Sequence, residues 1–213
     1  MEVGKFPASL LERILAKVDI SDPRVVVGPR VGEDTAVLQT SGSLLVAKSD
    51  PVTFATDQIG WYAVQVNAND VACTGGTPKW FLATLLVPER FTEDEAEAVF
   101  DQILEACRSI DVSLVGGHSE VTYGIDRPII MGTMLGEVEQ DKLILTGGAQ
   151  EGDSIVVTKG IAIEGTALLA REKASQLLQA GMSQEEIDKA ASLLSVPGIS
   201  VLHDARVACA SSQ

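Results

Sequence analysis

Between Gln58 and Pro78 the chain is apolar, small or uncharged, with one exception, Asp70 in the stretch VNANDVACTGGTP. A lone carboxylate on an otherwise apolar helix is costly to bury unless a cation meets it. Lys79 follows about two helical turns later and is not placed to be that cation. Two readings stay open at this point: a capped, partly exposed aspartate on a core helix, or a ligand for metal or phosphate. Similar settings recur elsewhere. Glu33-Asp34 sits in a glycine turn within VGEDTAVLQ, Ser49-Asp50 ends the apolar run SLLVAKSD, and Gly116-Gly117-His118 begins GGHSE. Taken singly, each is an ordinary solvated turn. Several carboxylates brought together without matching Lys or Arg would repel one another unless divalent cations neutralised them. Hard oxygen ligands of this kind suit Mg²⁺, which keeps waters and binds substrate phosphates at the same time.

The elements that would position these acids follow from periodicity and punctuation. Ser9 with Glu12 has the spacing of a capping box, and Leu10, Leu11, Ile14, Leu15 and Val18 continue it as an amphipathic helix ended by Asp22-Pro23. Arg24 to Gly28 reads as a short strand, and Ser43 to Asp50 as a buried strand closed by Pro51. Ile59 to Thr74 reads as a helix on which Asn67, Asp70 and Thr74 share one side, a polar edge expected to face a ligand cleft. Lys79 to Val87 is an apolar strand. Thr92 with Glu95 caps a second long helix whose apolar face includes Val99, Ile103 and Cys107. Val112 to Val115 is a short strand running into the double glycine, which serves either close backbone approach to a ligand or a tight turn. Ile129 to Val138 returns as a strand. Glycine and polar residues cluster at Thr146 to Gly152, which suggests a boundary near residue 150. Beyond it, Asp153 to Lys159 reads as a strand, Ile163 to Ala174 as a helix, Ser183 with Glu186 caps another, and a last helix starts near Ile199. Strands alternating with two long helices up to residue 150 give the pattern of a split βαβ or ferredoxin-like α/β layer. Residues 151–213 read as the beginning of a second domain.

Composition narrows the partners. A chain of 213 residues with 46% hydrophobic but only 4% aromatic content builds its core from Val, Ile, Leu and Ala. With 16 basic against 30 acidic residues the formal net charge is −14, which disfavours nucleic acid and anionic membrane as partners. Cys73, Cys107 and Cys209 are widely spaced, form no CxxC pair and offer neither a zinc-finger spacing nor a disulfide framework. Cys107 lies on the apolar helix face and reads as core. The N-terminus has no signal-like apolar region and no run is long enough to span a bilayer, so a cytoplasmic location is expected.

GEDTAV at Gly32 to Val37, SD at Ser49-Asp50, NDVACTGGTP at Asn69 to Pro78 and VGGHSE at Val115 to Glu120, in that order, resemble the aminoimidazole-ribonucleotide synthetase-related (PurM-like) superfamily. That group includes HypE, thiamine-monophosphate kinase and selenophosphate synthetase. The resemblance covers residues 25–170, and GDSIVVTKG at Gly152 to Gly160 with IEGTALLA at Ile163 to Ala170 is similar to the opening of the family's second domain. It implies an N-terminal domain, residues 1–150, that binds ATP and forms a homodimer through a shared β-barrel. It also implies Asp34, Asp50 and Asp70 as carriers of Mg²⁺ and phosphate, with Glu33 and Asn69 in support and Gly116, Gly117 and His118 completing the nucleotide site. Many relatives place an acid where this chain has His118. Neutral imidazole is a poorer Mg²⁺ ligand than carboxylate, which leaves three alternatives: His118 contacts phosphate, Glu120 takes over the metal role, or His118 is a plain turn residue.

The implied activity is ATP-dependent activation of an amide or acyl oxygen, HypE-like, or phosphorylation of a small acceptor, thiamine-monophosphate-kinase-like. The acceptor, small molecule or protein, is not named by the sequence. A third reading is a nucleotide-binding dimerisation module without turnover. Relatives continue with a D-x-T-x-G-G segment after the position of Ile199 to Ala210, so the expectation is a fragment of a longer protein or a truncated product. HypE's C-terminal acceptor cysteine has no counterpart here, the chain ending Ser-Ser-Gln, and Cys209 reads as a helical residue.

Overall fold

The structure is a computed structural model that describes residues 6–211. Its frame is a six-stranded mixed sheet: β1 (Val25–Val27), β2 (Ala36–Gln39), β3 (Leu44–Val52), β4 (Thr77–Val87), β5 (Ser113–Val121) and β6 (Ile129–Val138) in the order β1-β2-β3-β6-β4-β5. Helix α1 (Ala8–Leu15) precedes it, α2 (Ile59–Cys73) joins β3 to β4, and α3 (Glu93–Ser109) joins β4 to β5. β6 is antiparallel to both β3 and β4, so β3-α2-β4 is a split βαβ unit with β6 inserted between its strands. β4 and β5 pair in parallel. The alternation expected up to residue 150 is therefore present.

Local chemistry explains the elements. The Thr92 side chain accepts from Glu95 N while the Glu95 carboxylate accepts from Thr92 N, so the capping box of α3 closes. Along β3 the side chains of Leu44, Val46 and Lys48 alternate inward under α2. α2 is almost entirely buried, with Ile59, Ala63, Val64, Ala68 and Val71 fully enclosed against the sheet and α3. It can lie so close because β6 presents glycine beneath it: a Cβ on Gly132 would stand 2.4 Å from Asn67 Nδ2 and 2.8 Å from the Phe81 ring. Cys107 is buried, as its helical face requires.

Four sequence expectations are corrected. α1 starts on Pro7 without a side-chain cap, and Ser9 lies within its first turn instead of capping it. Pro51 does not close β3. The strand runs to Val52 in a stretch where β2 has already parted and only β6 remains alongside, a position that tolerates proline. Gly116-Gly117 is not a turn. It lies inside β5, where the register against β4 shifts and Gly117, at φ +150°, brings its backbone so near Ala83 that an added Cβ would stand 1.9 Å from the Ala83 carbonyl oxygen.

The fourth correction concerns residues 153–159, which form no strand. Ile155, Val156 and Val157 are exposed, and β-propensity does not make a strand without a ladder partner alongside. The helices that follow are α4 (Ile163–Glu172), α5 (Ala174–Gln179), α6 (Gln184–Ser192), capped by Ser183 and Glu186, and α7 (Leu202–Ser211). Among the described residues no single helix is long and apolar enough to cross a membrane.

Candidate functional site: an acid cluster around a buried lysine

Three of the acids singled out from the sequence meet, and the residue that gathers them is Lys48. Its ammonium stands 2.7 Å from Asp70 Oδ2, 3.2 Å from Asp50 Oδ2 and 3.9 Å from Asp34 Oδ1. The lysine side chain is 6% exposed. Each partner comes from a different element: Asp34 from the loop entering β2, Asp50 from the end of β3 and Asp70 from α2. The cation that Asp70 needs is thus two residues before Asp50 rather than at Lys79. Period-two reading of LLVAKSD puts Lys48 on the same inward face as Leu44 and Val46, and that was the signal that could have found it.

Burial by itself would lower Lys48, but the hydrogen bond and charge of Asp70, with the charge of Asp50, outweigh it and hold the ammonium above its ordinary value. Asp70 is also raised, first by burial and then by Asp34 and Asp50, against the pull of Lys48. The two shifts do not describe a balanced pair. One ammonium shared among three carboxylates is well served, while the most buried carboxylate remains under-compensated.

Neighbouring hydrogen bonds fix this arrangement. Asp50 N donates to Asn67 Oδ1 at 2.9 Å, and Asn67 Nδ2 donates to the carbonyls of Asp50 at 3.3 Å and Ala63 at 2.8 Å. Asn67 is fully buried and clamps the end of β3 to α2, so it does not face a cleft as expected. Thr74 is likewise engaged, its hydroxyl 3.0 Å from that of Thr35 and donating to the Asp70 carbonyl at 2.9 Å. Glu33 accepts from Arg30 at 3.0 Å and from the Thr146 hydroxyl at 2.8 Å, tying the glycine turn to residues 144–146. Burial would raise Glu33, yet these hydrogen bonds reverse the effect and hold it below the usual carboxylate range. Asn69 points elsewhere, donating to the Ile199 carbonyl at 2.9 Å and accepting from Val201 N at 2.8 Å. Ser49 lies on the opposite face of β3 from Asp50, 3.0 Å from the Gly132 carbonyl. Gly116, Gly117 and His118 are on β5, three strands away from β3, which is roughly 14 Å at ordinary strand spacing. There His118 Nε2 lies 3.0 Å from Glu120.

Asp34, Asp50 and Asp70 line a cleft of about 870 Å³, together with Phe54, Tyr62 and Glu164. Glu164, at the start of α4, is a fourth acid that the sequence reading passed over because IEGTALLA served there only as a domain marker. Burial raises its carboxyl, and the charges of Asp70 and Asp50 raise it further. Tyr62 is pushed up to about 12, mainly by burial, and its hydroxyl has no hydrogen-bond partner among the described residues. A smaller cleft of about 420 Å³, beside Arg90 and Arg127, lies away from the acids.

The donor set suits a hard divalent cation, since all three cluster acids offer carboxylate oxygen. Yet among the described residues no three acid, histidine or cysteine side chains are gathered closely enough to hold a metal ion by themselves. This fits Mg²⁺ in the mode where one or two carboxylates share it with water and phosphate, not an all-protein cage.

Residues 32–138, half of the chain, match the family model of the AIR synthase related protein, N-terminal domain. The chain belongs to this family. Among curated relatives, the thiamine-monophosphate kinase of Rhodopirellula baltica is 34% identical over 167 residues, covering 70% of this chain and 50% of the relative. The carbamoyl dehydratase HypE of Cupriavidus necator is 28% identical over 186 residues, covering 82% and 53%. The chain spans about half the length of these relatives. Among solved structures, the Aquifex aeolicus ThiL complexed with AMPPCP and TMP aligns over 93% of this chain and 60% of its own, at a TM-score of 0.70 and 21% identity. That likeness supports the mixed α/β fold.

Proposed function

We propose that this chain carries the nucleotide-binding part of an ATP- and Mg²⁺-dependent enzyme of the AIR synthase-related group. The observation that carries the reading is the convergence of Asp34, Asp50 and Asp70 on one wall of a cleft large enough for a nucleotide. In this reading Asp34, Asp50 and Asp70 would supply the one or two carboxylates that share Mg²⁺ with water and the ATP phosphates, and the ion would supply neutralisation of phosphate charge. Transfer of a phosphoryl group needs little covalent help, so positioning and charge neutralisation carry the rate. The protein's share is to fix Asp50 through Asn67, Asp34 through the Glu33–Thr146 and Thr35–Thr74 contacts, and Asp70 through the rigid, buried α2. Glu164, which lines the same cleft, is assigned in this reading to the acceptor.

For the acceptor we favour HypE-like activation of an amide or acyl oxygen, in line with the HypE relative's coverage of 82% of this chain. The second reading, phosphorylation of a small acceptor, is supported by the 34% identity to a thiamine-monophosphate kinase. ADP release measured across carbamoyl, acyl and phosphate-monoester acceptors separates the two, and binding without turnover on any acceptor would support a nucleotide-binding module instead.

The homodimer belongs to the same proposal. The face of the sheet away from α2 and α3 carries Met131 and, at the β5 register shift, Val115 exposed, a surface suited to closing against a second copy. Gly116, Gly117 and His118, remote from their own acid cluster, would serve the nucleotide of the partner. A monomer in light scattering at micromolar concentration would contradict the shared barrel.

A further inference from the structure

We infer that Lys48 sets the order of binding: it takes one oxygen from each cluster acid and part of their charge, so a divalent cation enters only together with a nucleotide. This rests on the ATP–Mg²⁺ reading above. The ammonium approaches Asp70 Oδ2, Asp50 Oδ2 and Asp34 Oδ1, one oxygen of each, at 2.7, 3.2 and 3.9 Å. The three acids line the cleft while Lys48 does not, so the lysine holds them from behind. The lysine side chain is 6% exposed on the inward face of β3, where only an anionic surround keeps an ammonium charged.

Two physical consequences follow. A divalent ion on the remaining oxygens sits close to a fixed positive charge in a partly desolvated place, where repulsion is weakly screened. It also lacks ligands, since no three acid, histidine or cysteine side chains among the described residues are gathered to hold one. Nucleotide phosphates remedy both, adding oxygen ligands and negative charge. Lys48 is in this account a positioning residue that acts through the three carboxylates. A purely structural counter-ion would instead be needed for metal and nucleotide alike, and its removal would weaken both.

The test is Mn²⁺ binding followed by electron paramagnetic resonance, with and without a non-hydrolysable ATP analogue, on the wild-type chain, Lys48→Met and Lys48→Arg. Wild type and Lys48→Arg are expected to take up Mn²⁺ only when the analogue is present. Lys48→Met, which keeps the apolar stem, is expected to bind Mn²⁺ without nucleotide about tenfold or more tightly than wild type. Should Lys48→Met fail to fold, as read by circular dichroism, the wild-type comparison alone decides. Tight Mn²⁺ binding by the wild type without nucleotide overturns this inference and leaves the ATP reading standing. A folded Lys48→Met that gains no Mn²⁺ also overturns it. Absence of analogue binding in every protein, with or without Mn²⁺, overturns the ATP reading and this inference together.

Discussion

The layer from β2 to β6 and the segment after residue 139 bury themselves in different ways. In the layer, α2 and α3 cover one face of the sheet and enclose Val37, Val46, Ile59, Phe81, Ile103, Ile130 and Met134 completely or nearly so. After residue 139 the buried apolar side chains are few, among them Ala167, Ile187, Leu194, Ile199 and Leu202, whereas Ile155, Val156, Val157 and Ile161 are exposed. Ala167, Leu194, Ile199 and Leu202 join the layer's own core, and polar ties add to that packing. Asn69 grips the backbone of Ile199 and Val201, Glu172 accepts from the Thr56 hydroxyl at 2.8 Å, and Arg171 pairs with Asp57. The difference teaches that the acid cluster rests on the more fully enclosed part, since Asp34, Asp50, Asp70 and Lys48 all belong to it. Among the acids lining the cleft, Glu164 alone comes from the later segment.

Substitutions can break that contrast, beginning with the largest effect. Phe81→Ala removes a fully enclosed ring from the middle of the layer and is expected to cost about 3–5 kcal/mol in chemical denaturation. Asn69→Ala removes two hydrogen bonds between the parts and is expected to cost about 1–2 kcal/mol. Its signature in hydrogen exchange is faster opening of residues 199–211 with the sheet unchanged. A uniform rise in exchange across both parts would contradict the division.

Acidification probes the turn that carries Asp34. Glu33 has a folded value below its ordinary 4.5, so the unfolded chain binds the proton first as pH falls. Its stabilising contribution is present above that value and is lost as pH drops through the lower, folded one. Glu33→Gln is therefore expected to flatten the acid limb of the stability–pH curve and leave the neutral region's shape unchanged. At the small end, Ile155→Thr alters a side chain that is 95% exposed and is expected to change stability by no more than about 0.5 kcal/mol.

Much of the layer was legible because its signals are local. The capping box at Thr92, the inward alternation of β3 and the long apolar helix at Ile59 each state their own structure. The errors came where a neighbour decides. Gly116-Gly117 reads as a turn until β4 is seen to shift register beside it, and residues 153–159 read as a strand although nothing pairs with them. The same holds in the site. The acids announced themselves by their type in apolar surroundings, but the sequence could not show that Asn67 faces the backbone of Asp50, that Asn69 faces Ile199, or that Glu164 reaches the cleft from beyond residue 150. Lys48 was the most instructive omission: its alternation with Leu44 and Val46 was available, yet an inward lysine makes sense only once three carboxylates are known to converge on it.

The most direct measurement of the central claim is calorimetric titration of ATP in the presence of Mg²⁺ into the wild-type chain and Asp70→Asn, each first checked for folding. The account predicts saturable binding by the wild type that is lost on chelation of Mg²⁺ and weakened about tenfold or more in Asp70→Asn, equivalent to about 1.4 kcal/mol. An affinity unchanged by Asp70→Asn, or binding indifferent to Mg²⁺, would contradict it.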